Sequence, residues 1–144
     1  MKIITFYLPQ FHDIPENDEW WGKDYTEWVA VRAAKPLYRG HIQPKVPLGR
    51  DYYDLDRDGV AVLSRQAQLA KRYGVYGVAI YQYYFNGKTL MDKPLRTLLD
   101  NPEIDINFNI CWANETWTRT WYGMSDQILI SQEYGEMDVS SKKK

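Results

Sequence analysis

One short run concentrates the residues that could do chemistry: Cys111-Trp112-Ala113-Asn114-Glu115-Thr116-Trp117-Thr118-Arg119-Thr120-Trp121. A carboxyl at Glu115, framed by three tryptophans, would stand in an apolar, partly desolvated place. Desolvation disfavours the charged form, so such a carboxyl can hold its proton near neutral pH and act as a general acid. Arg119 would act in the opposite sense by favouring the ionised form. In a second reading Glu115 and Arg119, four positions apart, simply pair at a helix start. Trp112, Trp117 and Trp121 offer flat apolar faces with polar edges, which suit amphipathic ligands such as sugars. The 15% aromatic content also reads as a core built from large side chains.

Glycoside chemistry needs a second carboxylate across the sugar, about 5 Å away for retention and farther for inversion. Glu27, between Thr26 and Trp28, is the first choice, with Glu19, Asp18 and Asp92 as further candidates. Glu27 reads equally as an acid that stabilises the start of a helix. The expected sugar-contacting residues are Gln10, His12, Trp20, Trp21, Trp28, His41, Tyr81, Tyr83, Asn86, Trp112, Asn114, Trp117, Arg119 and Trp121. His12 and His41 lack further ligands at short spacing, so no metal site is expected; either could hydrogen-bond a sugar hydroxyl. Tyr81 and Tyr83 share one side of a strand. Asn86-Gly87-Lys88 reads as a turn, with Lys88 a weak contact for phosphate or carboxylate. No Gly-rich phosphate loop occurs, and no cofactor is expected. Cys111, the single cysteine, sits in an apolar run and reads as a buried, inert thiol.

These clusters follow the ends of three expected strands, Ile3 to Leu8, Val75 to Gln82 and Ile106 to Trp112. Between them, Asp58 is expected to cap a helix whose apolar face is Val60, Leu63, Ala67 and Ala70 and whose C′ residue is Gly74. A helix from about Met91 to Leu99 tolerates Pro94 in its first turn. Thr26 could cap a short helix through Ala34, ended by Pro36. Residues 9 to 25 and 36 to 58 read as long loops, and loops near that length are more often functional than not. Gln127 to Ser131 reads as a fourth strand or an edge piece. Alternating strands and helices point to right-handed βαβ units and a parallel sheet, whose C-terminal strand edge is where sites are built.

The expected class is α/β, a partial (β/α)8 barrel of about three βα units, because a closed barrel takes at least ~200 residues and the chain has 144. Residues 1–135 form this N-terminal part of a barrel domain; residues 136–144 form a polar tail expected to lack structure of its own. A net charge of −1 gives no reason to expect a nucleic-acid partner. No stretch approaches the ~20 apolar residues of a membrane span, and the start has no signal-peptide pattern, so a cytoplasmic location is the default.

Phe6 to Gly22 (FYLPQFHDIPENDEWWG), Thr26 to Trp28, Lys35 to Pro47 (KPLYRGHIQPKVP), Tyr81 to Leu90 (YQYYFNGKTL) and Cys111 to Gly123 (CWANETWTRTWYG) resemble the WbsX-like glycosyltransferase family, also described as glycoside-hydrolase-family-99-like. The resemblance implies a (β/α) barrel that works on glycans of bacterial surface polysaccharide, lipopolysaccharide or O-antigen. It implies that the loop after Leu8 and the segment Trp112 to Trp121 line the site. It also implies a longer protein, whose remaining barrel half would be this segment's partner. Transfer and hydrolysis both stay open, as do a non-catalytic sugar-binding module and an inactive truncated fragment.

Overall fold

The computed structural model describes residues 1–42, 45–113, 115–120 and 124–133. Ile4–Tyr7 (β1) is a run of β-branched and aromatic residues that ends before Pro9. The stretch expected to be one long loop contains a helix, Pro15–Trp21 (α1), with proline in its first turn and Glu16 and Asp18 at its positive end. Glu27–Ala33 (α2) is capped by Thr26, whose Oγ1 accepts from the Trp28 N–H at 3.3 Å. Among its described residues, the segment that follows holds a single 3₁₀ turn, Leu48–Arg50.

Gly59–Arg72 (α3) is the longest helix, and its buried face is Gly59, Val62, Leu63 and Ala67. The expected face is thus corrected at one position: Val60 points outward, and Val62, at i−1 and i−5 from the buried Leu63 and Ala67, takes its place. Asp58 stands at the N-cap but makes no side-chain cap bond; its carboxylate takes Arg57 Nε at 3.2 Å. Gly74 ends the helix at φ 77°, a conformation that costs glycine little.

Next come Gly77–Phe85 (β2), Lys88–Leu90 (β3), Lys93–Asp100 (α4), Asn107–Ala113 (β4), Trp117–Arg119 (β5) and Met124–Ile130 (β6). β2 is the centre of the main sheet. β1 and β4 flank it, both parallel to it, with Ile4 opposite Gly77 and Gly77 opposite Asn107. β3 folds back antiparallel on the β1 side, beyond the point where β1 stops; the two-residue turn Asn86-Gly87 has both φ angles positive, as tight hairpins require. Gly77 is demanded by packing, because a Cβ there would collide with the Asn107 carbonyl oxygen. The expected fourth strand is β6, but it pairs antiparallel with β5 in a separate two-stranded sheet.

The side chains of β2 alternate between two faces. Val78 and Ile80 face the helices and form the main core with Leu55, Leu63, Leu95, Leu98 and Ile104. Tyr7, on the same face, donates a hydrogen bond to Gln66 Oε1 at 2.7 Å and so ties β1 to α3. On the opposite face Tyr81 and Tyr83 belong to a second cluster with Ile14, Phe85, Leu90 and Met91. No barrel closes among the described residues. β1 and β4 each have one unpaired edge there. Phe6 is 73% exposed and Ile110 53% exposed, on opposite faces of the sheet. The tail expected over residues 136–144 lies outside the described residues.

Candidate active site

An open cleft of about 520 Å³ lies at the C-terminal ends of the parallel strands. β1 delivers Leu8 and Gln10 to it, and β2 delivers Tyr81 and Tyr83; Glu115 and Thr116 follow β4. α1 closes one side with Asn17, Trp20 and Trp21, and α2 brings Glu27 from its first turn. The strand pair β5–β6 closes the other with Trp117, Thr118 and Leu129. Register shifts on either side of Thr118 break the alternation of β5, which lets neighbouring residues Trp117 and Thr118 both reach the cleft.

The aromatic wall is built ring on ring. Trp117 meets Trp20 edge-on at 6.1 Å, Tyr83 at 4.9 Å and Phe85 at 5.1 Å. Tyr81 lies nearly parallel to Tyr83 at 6.1 Å. Gln10 Nε2 donates to the Tyr83 hydroxyl at 3.1 Å. Burial, then the neighbouring Tyr81 and Glu27, and least of all Glu115, hold the Tyr83 hydroxyl above its ordinary range. It is therefore a neutral, protonated group across the physiological range. A Glu16–Lys88 ion pair fastens α1 to β3 behind this wall.

The two carboxyls differ in surroundings. Burial raises the pKa of Glu27, so it is the acid that desolvation favours in its protonated form. Glu115 is exposed at the rim. This corrects the expected frame of three tryptophans around Glu115. Trp112 is 59% exposed and leans on Tyr84 at 5.3 Å. It pairs with Gln82, one residue out of step with Tyr81 and Tyr83, and so takes the opposite face of the sheet. Glu115 and Arg119 do not share a helix start; Arg119 is on β5, and its guanidinium sits 5.0 Å from the Trp21 ring at the cleft edge.

Four other expected contacts lie elsewhere. His12 is 1% exposed, and burial lowers its pKa against the opposing pull of Asp56, Asp54 and Asp13; no sugar hydroxyl reaches it. Trp28 donates from Nε1 to the Tyr53 carbonyl at 2.8 Å and packs on Phe11 at 4.6 Å, pinning α2 to the loop before α3. His41 stacks on Tyr38 at 4.5 Å, and its Nδ1 accepts from the Leu37 N–H at 3.1 Å. Asn86 is occupied structurally: Nδ2 donates to the Ser131 carbonyl at 3.1 Å, and Oδ1 accepts from the Glu133 N–H at 2.9 Å. Lys88 is likewise paired, with Glu16. Cys111 is half-buried and free. Asn114 and Trp121 lie outside the described residues.

Sequence reasoning missed Leu8, Met91 and Leu129 in the lining, and it did not single out Asn17, Tyr25, Thr116, Thr118 and Thr120 within the segments expected to line the site. Pro15 followed by Glu16 and Asp18 is a helix-start signal, and reading it would have grouped Asn17, Trp20 and Trp21 at i, i+3 and i+4. The alternation Thr116, Thr118, Thr120 is a strand signal. Among the described residues no group of three or more His, Cys, Asp or Glu is placed to hold a metal ion, and no helix is long and apolar enough to cross a membrane.

Two curated relatives carry the name Uncharacterized protein WxcX, from Xanthomonas campestris pv. campestris strain B100 and strain ATCC 33913. Each is 43% identical over 136 residues, which is 94% of this chain and 19% of the relative. The chain thus spans about a fifth of the length of these relatives. No solved structure gives a significant match. The family described as Glycosyltransferase WbsX matches residues 3–143, nearly the whole chain, cleft included, and the chain belongs to that family.

Proposed function

We propose that the cleft belongs to an enzyme acting at the anomeric carbon of a glycan, with Glu27 and Glu115 as its carboxyl pair and Trp20, Trp21 and Trp117 as surfaces against which sugar rings stack. The observation that carries this reading is a desolvated carboxyl, Glu27, in the same aromatic cleft as a second carboxylate, at the C-terminal edge of a parallel sheet. The roles differ from the sequence expectation: Glu27, whose pKa burial raises, is the general acid, and Glu115 at the rim acts on the nucleophile's side. Tyr83 and Gln10 are neutral hydrogen-bonding groups for sugar hydroxyls.

In this reading the sheet is the first portion of a (β/α)8 barrel. Exposed Ile4 and Phe6 face the would-be interior, and exposed Phe108, Ile110 and Trp112 face the place of a following helix. The family description, a glycosyltransferase, supports a glycan as substrate; a bacterial surface polysaccharide and a cytoplasmic location belong to the same proposal.

The test compares leaving groups. Glu27→Gln should abolish turnover of alkyl glycosides and spare nitrophenyl glycosides, whose leaving group needs no proton. Glu115→Gln should cost turnover of both. Equal loss on both substrate classes for Glu27→Gln would refute its role as the acid. The exposure of Glu115 also favours a second reading, a non-catalytic sugar-binding module; in that case neither substitution would alter glycan affinity, and no turnover would be measured in the parent.

A further inference from the structure

Between Glu27 and Asp51 the chain carries five cations, Arg32, Lys35, Arg39, Lys45 and Arg50, and no Asp or Glu. In a chain of net charge −1, this run is a basic island in an otherwise acidic molecule. All five side chains are exposed. Arg32 lies over the Tyr52 ring at 4.1 Å, and none of the five joins an ion pair among the described residues. The same run carries large apolar side chains that the core does not take. Leu37, Ile42 and Leu48 are each at least 80% exposed, and Tyr38 and Val46 also stand in solvent.

Two closed turns present these groups. In the first, the His41 N–H donates to the Tyr38 carbonyl at 3.1 Å and the Leu37 N–H donates to His41 Nδ1 at 3.1 Å. The His41 ring stacks on Tyr38 at 4.5 Å. In the second, the Arg50 N–H donates to the Pro47 carbonyl at 2.9 Å, and Gly49 and Arg50 both have positive φ. Lys35 and Arg39 belong to the first turn, Lys45 and Arg50 to the second. Because the turns close backbone hydrogen bonds of their own, a less polar medium would strand few of their donors.

Exposed apolar groups rimmed by charge mark an interaction surface, and the two kinds of side chain make separate demands. The cations call for an anionic partner. A nucleic acid or an acidic polysaccharide would meet them through charge, yet would give Leu37, Ile42 and Leu48 no apolar medium to enter. A bilayer with anionic headgroups meets both demands. Its acyl boundary takes the aliphatic side chains while Lys and Arg extend to the level of the phosphates. We propose that the turns at residues 35–42 and 45–50 dock this chain on an anionic membrane surface, as a peripheral contact and not a span. None of these residues lines the cleft, so the docking and the glycan reading stand or fall separately.

Flotation of the full chain with lipid vesicles tests the docking. One set of vesicles is pure phosphatidylcholine, and the other contains about a third phosphatidylglycerol, which supplies the negative surface potential. The chain should float with the mixed vesicles and stay behind with the neutral ones. Raising NaCl from about 50 to 300 mM should weaken the binding. Arg39→Gln and Lys45→Gln should each lower affinity about fivefold, the contribution of one cation near such a surface. Leu37→Ser and Ile42→Ser should each lower it about tenfold through lost apolar burial. All four side chains are exposed, so far-UV circular dichroism of the variants should match the parent. Equal binding to both kinds of vesicle, or none to either, would overturn the proposal. Anionic binding that both serine substitutions leave at full strength would overturn it too, and would assign the turns to a soluble polyanion.

Discussion

Trp117 is the residue whose removal tests the cleft and the fold together. Its ring is half-buried and touches Trp20, Tyr83 and Phe85 within 4.9 to 6.1 Å. It therefore joins β5 to α1 and to the centre of the sheet. Truncating a fully buried Trp to Ala costs about 3–5 kcal/mol, and scaling for partial burial leaves about 2–3 kcal/mol for Trp117→Ala. With a urea dependence of about 1–2 kcal/mol per molar, the midpoint should fall by about 1–3 M. Far-UV circular dichroism is the suitable probe, because the substitution itself alters tryptophan emission. Trp117→Phe keeps a ring in place and should recover most of the loss. In parallel, affinity for a trisaccharide bound in the cleft should drop about tenfold, the worth of one aromatic platform at roughly 1.4 kcal/mol. A midpoint within about 0.3 M of the parent would show that the ring does not hold β5 against the sheet. Unchanged affinity with a lowered midpoint would make Trp117 a packing residue alone.

Glu27→Gln should stabilise the chain, and by more at higher pH. Below the ordinary glutamate range both folded and unfolded chains hold the proton and the effect vanishes; as pH rises the unfolded chain ionises first, because burial raises the folded-state pKa, so the parent loses stability up through that folded pKa. Urea midpoints of parent and variant should therefore converge near pH 4 and separate toward pH 8; a gap independent of pH would contradict the burial of Glu27. Gly77→Ala should cost about 1–3 kcal/mol by forcing β2 away from the Asn107 carbonyl, and a variant with the parent's urea midpoint would show that the strands do not approach so closely.

Much of the architecture was legible because its signals are local. The apolar run into Pro9, Thr26 two residues before Trp28, Gly74 after α3 and Pro94 in the first turn of α4 each act within a few residues of their effect. Asn86-Gly87 marked a turn for the same reason, though not the hairpin strand β3 beyond it. α1 was missed because seven residues carry too little periodicity to stand out from a loop, and its proline and acidic first turn were the remaining sign. The face of α3 was read one position wrong because Val60 and Val62 are chemically equivalent, and only packing against Val78 and Ile80 separates them.

The site divides along the same line. The sequence by itself determined that aromatic and carboxyl groups collect after the strand ends, since that depends on residue order in a βα pattern. Tertiary structure decided which of them meet. Trp112 is turned away by its register opposite Gln82, Asn86 is drawn off by Ser131 and Glu133, and His12 is sealed from solvent. It also decided which carboxyl is desolvated: Glu115 has the aromatic neighbours in sequence, yet burial in space falls on Glu27 and raises its pKa. A pKa shift by burial depends on the surface that distant segments cover, and no local pattern encodes that area.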